Sequence, residues 1–386
     1  MLGLAAALMV EWAGATAVLP VLPLYLRHAG APYSLIGLVM GAFLAASFAV
    51  QYPLGRLSDR LGRRRPLLTS LGVYSVATLG FVLPVSPPVY ILLRALQGGG
   101  AGTVQVMTQA VVADLVPADR RGRAYSLLTG AQFGGMVVGP LAGALLYGID
   151  PRIVFVVAAT AAGLAAAVVA ITVPPGRAQA GSGNPPPLPG DGVRRRQVVQ
   201  GVLLASAGTG LLIGVYDADW SLLLRSKGAP PWEVGLSFTL FALPLVLASW
   251  PAGWLADHWD RRWLGGLASL VGCGCAATYP FLPSPPELMA LGVVEATAAA
   301  IGIPAVLSLL MHTVGTERAG RSQGLAGSAQ TGAAAAGAIG GGLLFGLGTW
   351  VPFIAAASLV TVMTAALPLL WRSAGRWARA ETATPA

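Results

Sequence analysis

Twelve stretches of this chain run for roughly twenty residues with almost no charge, each about the length at which a helix crosses the ~30 Å hydrocarbon core of a bilayer. They fall at 2–26, 33–54, 66–84, 88–113, 124–148, 152–173, 198–224, 232–255, 263–282, 287–313, 322–347 and 351–371, separated by short loops with Arg, Pro and Gly. The chain therefore reads as an all-α membrane protein with twelve transmembrane helices. Of its 386 residues, 55% are hydrophobic and only 10% charged, outside the range of soluble domains.

A net charge of +9 would point to nucleic acid in a soluble chain, but here the position of the charges decides. With the amino terminus inside, 19 of the 24 basic residues lie in cytoplasmic segments, while Arg27, Arg152, Arg225 and Lys227 lie outside and Arg94 falls within a span. This asymmetry sets both termini in the cytoplasm, makes the lipid bilayer the partner and requires no nucleic acid. The first span is too long for a signal-peptide core and no cleavage site follows, so it is expected to stay in the mature protein. Cys273 and Cys275 read as packing residues of the ninth span. His28, His258 and His312 have no second metal-type ligand nearby in a cavity-facing span, and no phosphate-cradling loop is present. No metal, cofactor or enzymatic activity is expected.

Residues 174–197, "PPGRAQAGSGNPPPLPGDGVRRRQ", cannot bury enough apolar surface to fold alone. They divide the chain into an N-terminal six-helix bundle (1–173), a cytoplasmic linker (174–197) and a C-terminal six-helix bundle with a short cytoplasmic tail (198–386). The two halves repeat at a constant shift of 198 residues: "APYSLIGL" at 31–38 answers "APPWEVGL" at 229–236, "PLGRLSDR" at 53–60 answers "PAGWLADH" at 251–258, and "LLYG" at 145–148 answers "LLFG" at 343–346. A parallel repeat of six spans, with a site at the interface between halves, is a transporter architecture that works by rocking one half against the other.

The loop after the second span reads "GRLSDRLGRRRP", with Gly55, Asp59, Arg60, Gly62, Arg63 and Arg64 spaced as G-x-x-x-D-R-x-G-R-R, and "GWLADHWDRRW" carries a second copy with Gly253, Asp257, Arg261 and Arg262. Here the chain resembles the major facilitator superfamily, whose signature in this loop is nearly the same string. The resemblance extends to Arg94, Gln97, Gly98 and Ala101 in the fourth span, and to Gly135, Gly139, Pro140 and Gly143 in the fifth, which match the motif of the antiporter branch. It covers nearly the whole chain and is nearest to the drug:proton antiporters with twelve helices. It implies the major facilitator fold and a cytoplasmic charge network of Asp59, Arg63 and Asp114. In the second half Asp257 and Arg261 match, but the position of Asp114 becomes His312, so an asymmetric gate is expected.

Few charges fall inside the spans. At 1.5 Å per residue, Glu11 lies roughly 13 Å from the inner end of the first span and Arg94 roughly 9 Å below the outer surface, on helices that line the cavity in this fold. Glu295, the counterpart of Gln97 at the shift of 198, lies at a depth similar to that of Glu11, while Asp217 is nearer the outer end of its span and Asp219 is expected at the headgroups. An uncompensated carboxylate at a helix centre costs about 2.5–3.5 kcal/mol, so Glu11 is expected to be neutralised or useful. It either carries a coupled proton or binds substrate, with Arg94, Glu295 and Asp217 as further coupling candidates, or it forms a static pair with Arg94. Trp12, Gln97, Gln105, Gln132, Tyr216, Phe241 and Gln330 are candidates for the substrate-lining surface.

The expectation is a monomeric transporter of the bacterial inner membrane that exports a small amphipathic compound in exchange for protons. A carrier of the same fold for sugar or metabolite efflux or uptake is the alternative, and a non-transporting sensor or scaffold a more distant one.

Overall fold

A computed structural model of the chain describes residues 1–117, 120–174, 192–248, 254–255, 258–314 and 319–372. These form twelve long helices: α1 (Leu2–His28), α2 (Tyr33–Leu61), α3 (Arg64–Gly80), α4 (Pro87–Leu115), α5 (Arg121–Ile149), α6 (Pro151–Thr172), α7 (Gly192–Ser226), α8 (Pro231–Leu247), α9 (Arg261–Thr278), α10 (Pro285–Val314), α11 (Ala319–Phe345) and α12 (Val351–Leu370). Among the described residues, eight are long and apolar enough to cross a bilayer. The other four are α3 and α8, of 17 residues each, and α4 and α11, diluted by Arg94, glutamines and small residues.

The boundaries differ from expectation in two places. Helical backbone of α7 begins at Gly192, inside the segment expected as linker, because Arg194, Arg195 and Arg196 are good helix formers and continue the helix beyond its apolar part. The described part of α8 ends at Leu247, just past Pro244, short of the expected residue 255.

Helix packing reproduces the sequence repeat. Within the first six helices the extensive pairs are α1 with α5 and α6, α2 with α4, and α3 with α4 and α6. Raising each index by six gives α7 with α11 and α12, α8 with α10, and α9 with α10 and α12, which are the extensive pairs of the last six. The turns repeat as well. Gly30 and Gly228 adopt φ of +84° and +88°, a region costly for any residue with a Cβ, and before each turn an arginine reaches across it to a carbonyl, Arg27 to Ala31 at 3.2 Å and Arg225 to Ala229 at 2.8 Å.

Small residues set how closely the helices cross. On α4 a Cβ at Gly98 would collide with the Phe43 carbonyl of α2, and one at Gly100 would sit 2.8 Å from the Ser70 carbonyl of α3, so the "LQGGGAG" segment packs against two neighbours at once. Between the two groups of helices the contact is equally bare. A Cβ at Gly37 of α2 would lie 2.6 Å from the Ala338 carbonyl of α11, and one at Gly235 of α8 would lie 2.5 Å from the Pro140 carbonyl of α5. Gly37 and Gly235 are related by the same shift of 198, as are Pro140 and Ala338.

The apolar core is continuous at one end of the bundle and divided at the other. At the end away from the termini a single cluster joins Val18, Val21, Leu22, Ile36 and Phe155 to Val215, Leu223, Val234, Tyr279 and Phe353. At the end that carries the termini, one cluster holds Leu4, Leu8, Leu67, Met107 and Val169, and a separate one holds Val198, Val202, Leu310, Leu367 and Trp371.

At that divided end Asp260 caps α9: its carboxylate accepts from the Arg262 backbone N–H at 3.0 Å and from the Arg262 guanidinium. The guanidinium bond holds the Asp260 carboxyl below the usual carboxylate range. Asp260→Ala should cost about 1 kcal/mol of stability, nearly all from the cap because the ion pair is exposed to solvent. The folded carboxyl is the stronger acid, so this contribution is complete above the ordinary titration range of a carboxylate and is lost as pH falls through the depressed value. Thermal unfolding of wild type and variant in detergent should therefore converge in acid.

Candidate functional site

Two buried polar groups, one in each set of six helices, contain most of the charge inside the bundle. In the first, Arg94 on α4 is 2% exposed and donates to Gln97 Oε1 at 2.9 Å, one turn along the same helix. Gln97, fully buried, donates in turn to the Thr78 hydroxyl of α3 at 2.7 Å. The guanidinium lies over the Phe43 ring of α2, 4.3 Å from its centroid, a cation–π contact that compensates part of its desolvation. Gln97 is thus an internal tie between α3 and α4 and does not line a surface as expected: the glycines beside it bring α2 and α3 close enough to cover it.

Glu11 is 4% exposed, and its Oε2 has no hydrogen-bond partner among the described residues. It faces Leu67 and Leu71 of α3, Val104 and Thr108 of α4, and Ala165 and Val169 of α6, so although α1 is a cavity-lining helix in this fold, the Glu11 side chain points into its own bundle. The cause is register. Trp12, about 100° further round α1, is half-buried and meets Gly135 of α5 with its Cβ, which turns Glu11 into the centre of its own bundle. Among the described residues no ion pair joins Glu11 to Arg94. The Tyr74 phenol of α3 is within electrostatic range of both, and its hydroxyl is also buried without a partner.

In the second group, Glu295 on α10 is 6% exposed and accepts from two phenols, Tyr216 of α7 to Oε1 at 2.9 Å and Tyr279 to Oε2 at 2.5 Å. Aromatic rings close around it: Trp220 stacks edge-on to Tyr279 at 4.7 Å and Phe353 lies 6.2 Å from Tyr216. The Trp220 indole N–H donates to Ser237 of α8 at 2.9 Å. Tyr279 and Trp220 were absent from the sequence-derived set, yet a signal existed. At the shift of 198, Glu295, Tyr279 and Tyr216 correspond to Gln97, Phe81 and Val18, so where the second half gains an acid it also gains two hydroxyl donors. Tyr279→Phe should lower stability by about 1–3 kcal/mol, measured as a fall in unfolding temperature in detergent, with Tyr216→Phe smaller or equal.

Asp217 on α7 is half-buried and within electrostatic range of Arg94 on the opposite group of helices. Asp219 departs from expectation. It is fully buried where α7 crosses α11 beside Gly341, and neither carboxylate oxygen has a partner among the described residues, so it is sealed from solvent instead of hydrated. Gly341 leaves room that a side chain would fill, and the close crossing draws Asp219 in.

Trp12, Gln132, Phe241 and Gln330 are half-buried and Gln105 is exposed; among the described residues no hydrogen bond joins the side chains of these five. Gly135, Gly139 and Gly143 face α1: a Cβ at Gly135 would lie 2.6 Å from the Met9 carbonyl, and those at Gly139 and Gly143 would collide with the Ala13 and Ala17 carbonyls. The Thr16 hydroxyl spans this seam to the Gly135 carbonyl at 3.3 Å. At the terminus-bearing end Arg63 Nε pairs with Asp114 Oδ2 at 2.9 Å, bridging the start of α3 to the end of α4. Gly55, Asp59 and Arg60 lie on the α2 backbone, the side chains of Asp59, Arg60 and His312 fall outside the described residues, and Asp257 lies outside them altogether. Arg261 opens α9 beside the Asp260 cap.

A family model described as Major Facilitator Superfamily matches residues 4–226 and again 201–383. The chain is 35% identical over 152 residues to the class C tetracycline resistance protein of Escherichia coli, covering 38% of each chain, and 28% identical over 156 residues to the quinolone resistance protein NorA of Staphylococcus aureus, covering 40% of each. It thus spans about two fifths of the length of these curated relatives. Its fold is similar to the crystal structure of a bacterial homologue of the human lysosomal transporter Spinster in an inward-facing, occupied conformation, with TM-score 0.80 and 15% identity over 96% of each chain.

Proposed function

The chain belongs to the major facilitator superfamily, and from that premise we propose that it is a secondary active transporter exporting a small amphipathic compound in exchange for protons. In this reading twelve transmembrane helices form two six-helix halves related by a parallel repeat, in a bacterial inner membrane with both termini in the cytoplasm. The observation that carries it is the divided core. Both sets of helices share one apolar cluster at the end away from the termini and keep separate clusters at the other, which is the shape of a carrier open to one side. Rocking about the shared cluster would expose the space between halves to the opposite side.

Glu11, Glu295 and Asp217 are then the proton-coupling groups, and Arg94 sets the field in which Asp217 titrates. Trp12, Gln132, Tyr216, Phe241 and Gln330 offer an aromatic and amide surface suited to a lipophilic cargo, while Arg63 with Asp114 steadies the cytoplasmic end of the first half. Efflux rather than uptake is favoured by the likeness to a tetracycline and a quinolone resistance protein. The test is proton flux in everted vesicles carrying the full chain, across a panel of lipophilic cations and zwitterions. At least one should dissipate an imposed pH gradient in a chain-dependent manner; if none does, proton-coupled export is wrong.

A further inference from the structure

A small, partly open cavity beside Glu11 lies inside the first six helices. It measures about 10 Å³, at the threshold for a single water molecule, and is bounded by Leu4, Leu8, Leu71, Val104, Ala165 and their neighbours. Two polar side chains reach into this otherwise apolar space, Glu11 and Thr108, and Glu11 Oε2 and Thr108 Oγ1 are both buried without a hydrogen-bond partner among the described residues. Buried polar atoms in native proteins almost always have partners, and a water with two polar neighbours in a volume of this size supplies one to each.

Every residue around the cavity belongs to the terminus-bearing half of its helix: the first turns of α1 and α3, and the last turns of α4 and α6. Arg64 stands at that end, one turn before Leu67, with Nη2 donating to the Ala170 carbonyl of α6 at 2.5 Å. Among the described residues the titratable or charged groups facing Glu11 are Tyr74 on α3 and, beyond it, Arg94 on α4; α6 contributes Ala165 and Val169.

We propose that this cavity holds a water molecule bound by Glu11 and Thr108, and that Glu11 exchanges its proton with the terminus-bearing side through it, inside the first bundle and apart from the space between halves that the cargo crosses. The carboxylic acid gives its proton to the water, leaving a carboxylate and a hydronium ion that passes the charge to solvent at that end; in an exchange cycle the replacing proton arrives from the opposite side after the halves have rocked. The site rests on the reading of Glu11 as a proton carrier. It has a consequence that reading lacks: proton and cargo need not compete for one opening.

The experiment is infrared difference spectroscopy on the purified full chain, following deuterium exchange of the buried carboxylic acid after a switch to heavy water. Glu11→Gln assigns the band by removing it. Ala165→Leu, which fills the cavity, and Thr108→Val, which keeps its shape and removes the hydroxyl, should each slow exchange of that band at least about tenfold, with ethidium binding unchanged in Thr108→Val. The valine variant covers the case in which the leucine disturbs folding. If Glu11→Gln removes the band and Thr108→Val exchanges as fast as wild type, the internal route is overturned while the carrier role stands. If no exchanging band depends on Glu11, the carrier role falls, and the route with it.

Discussion

Glu11→Gln is expected to reduce substrate-driven proton flux by about 100-fold, the usual size of effect when a proton-transferring side chain is removed, while leaving exchange of cargo across the membrane close to wild type. Glutamine keeps the shape and the capacity to bond a water but cannot release a proton. Glu11 is 4% exposed and has no cationic partner among the described residues, so neutralising it leaves no orphaned charge and the variant should fold. Flux would be followed by the collapse of a pH gradient in everted vesicles, and exchange by labelled-cargo counterflow in the same preparation. Equal proton flux in both proteins would remove Glu11 from the coupling mechanism. Arg94 behaves differently: its bond to Gln97 and its place over Phe43 make Arg94→Gln a change to a packed network, which should lower expression and stability together.

A large side chain at Gly37 or Gly235 is expected to have the second-largest effect, on the balance of conformations rather than on the fold. The Cβ of Gly37→Leu would press on the Ala338 carbonyl and that of Gly235→Leu on the Pro140 carbonyl, in seams that join the two sets of helices and lie outside the core of either. Overpacking of this kind costs about 1–3 kcal/mol, so the closed end should open in a fraction of molecules larger by about 5- to 150-fold. Each variant should gain reactivity of a cysteine placed beside the seam toward a membrane-impermeant thiol reagent from the side opposite the termini, and lose transport. Gly98→Leu provides the contrast. Its contact with Phe43 is within one bundle, so it should fail to fold rather than change conformation.

The helices were legible because lipid imposes a length and an apolar composition that survive any detail of packing. The fold's inner symmetry was legible too, since a constant shift of 198 relates residues that turn out to make equivalent contacts, as Gly37 and Gly235 do. Azimuth was not. Glu11 and Trp12 are adjacent in sequence and face different neighbours, and no apolar stripe distinguishes their sides in a helix that is hydrophobic all round. Gln97 was misjudged for the same reason. Asp219 was misplaced because its burial depends on Gly341, more than a hundred residues away, and the expected solvation of an acid near a helix end is a rule about isolated helices.

At Gly37 and Gly235 the seams bring backbone against backbone. Specific ties beside them are the Thr239 hydroxyl to the Val137 carbonyl at 2.7 Å on one side, and the Tyr33 ring against Phe345 at 4.9 Å on the other. Such surfaces resemble a smooth bearing. They resist compression but offer little friction to rolling, so the speed with which the two sides turn past each other is set by these small catches, and Thr239→Val should make the turning faster without making it go further.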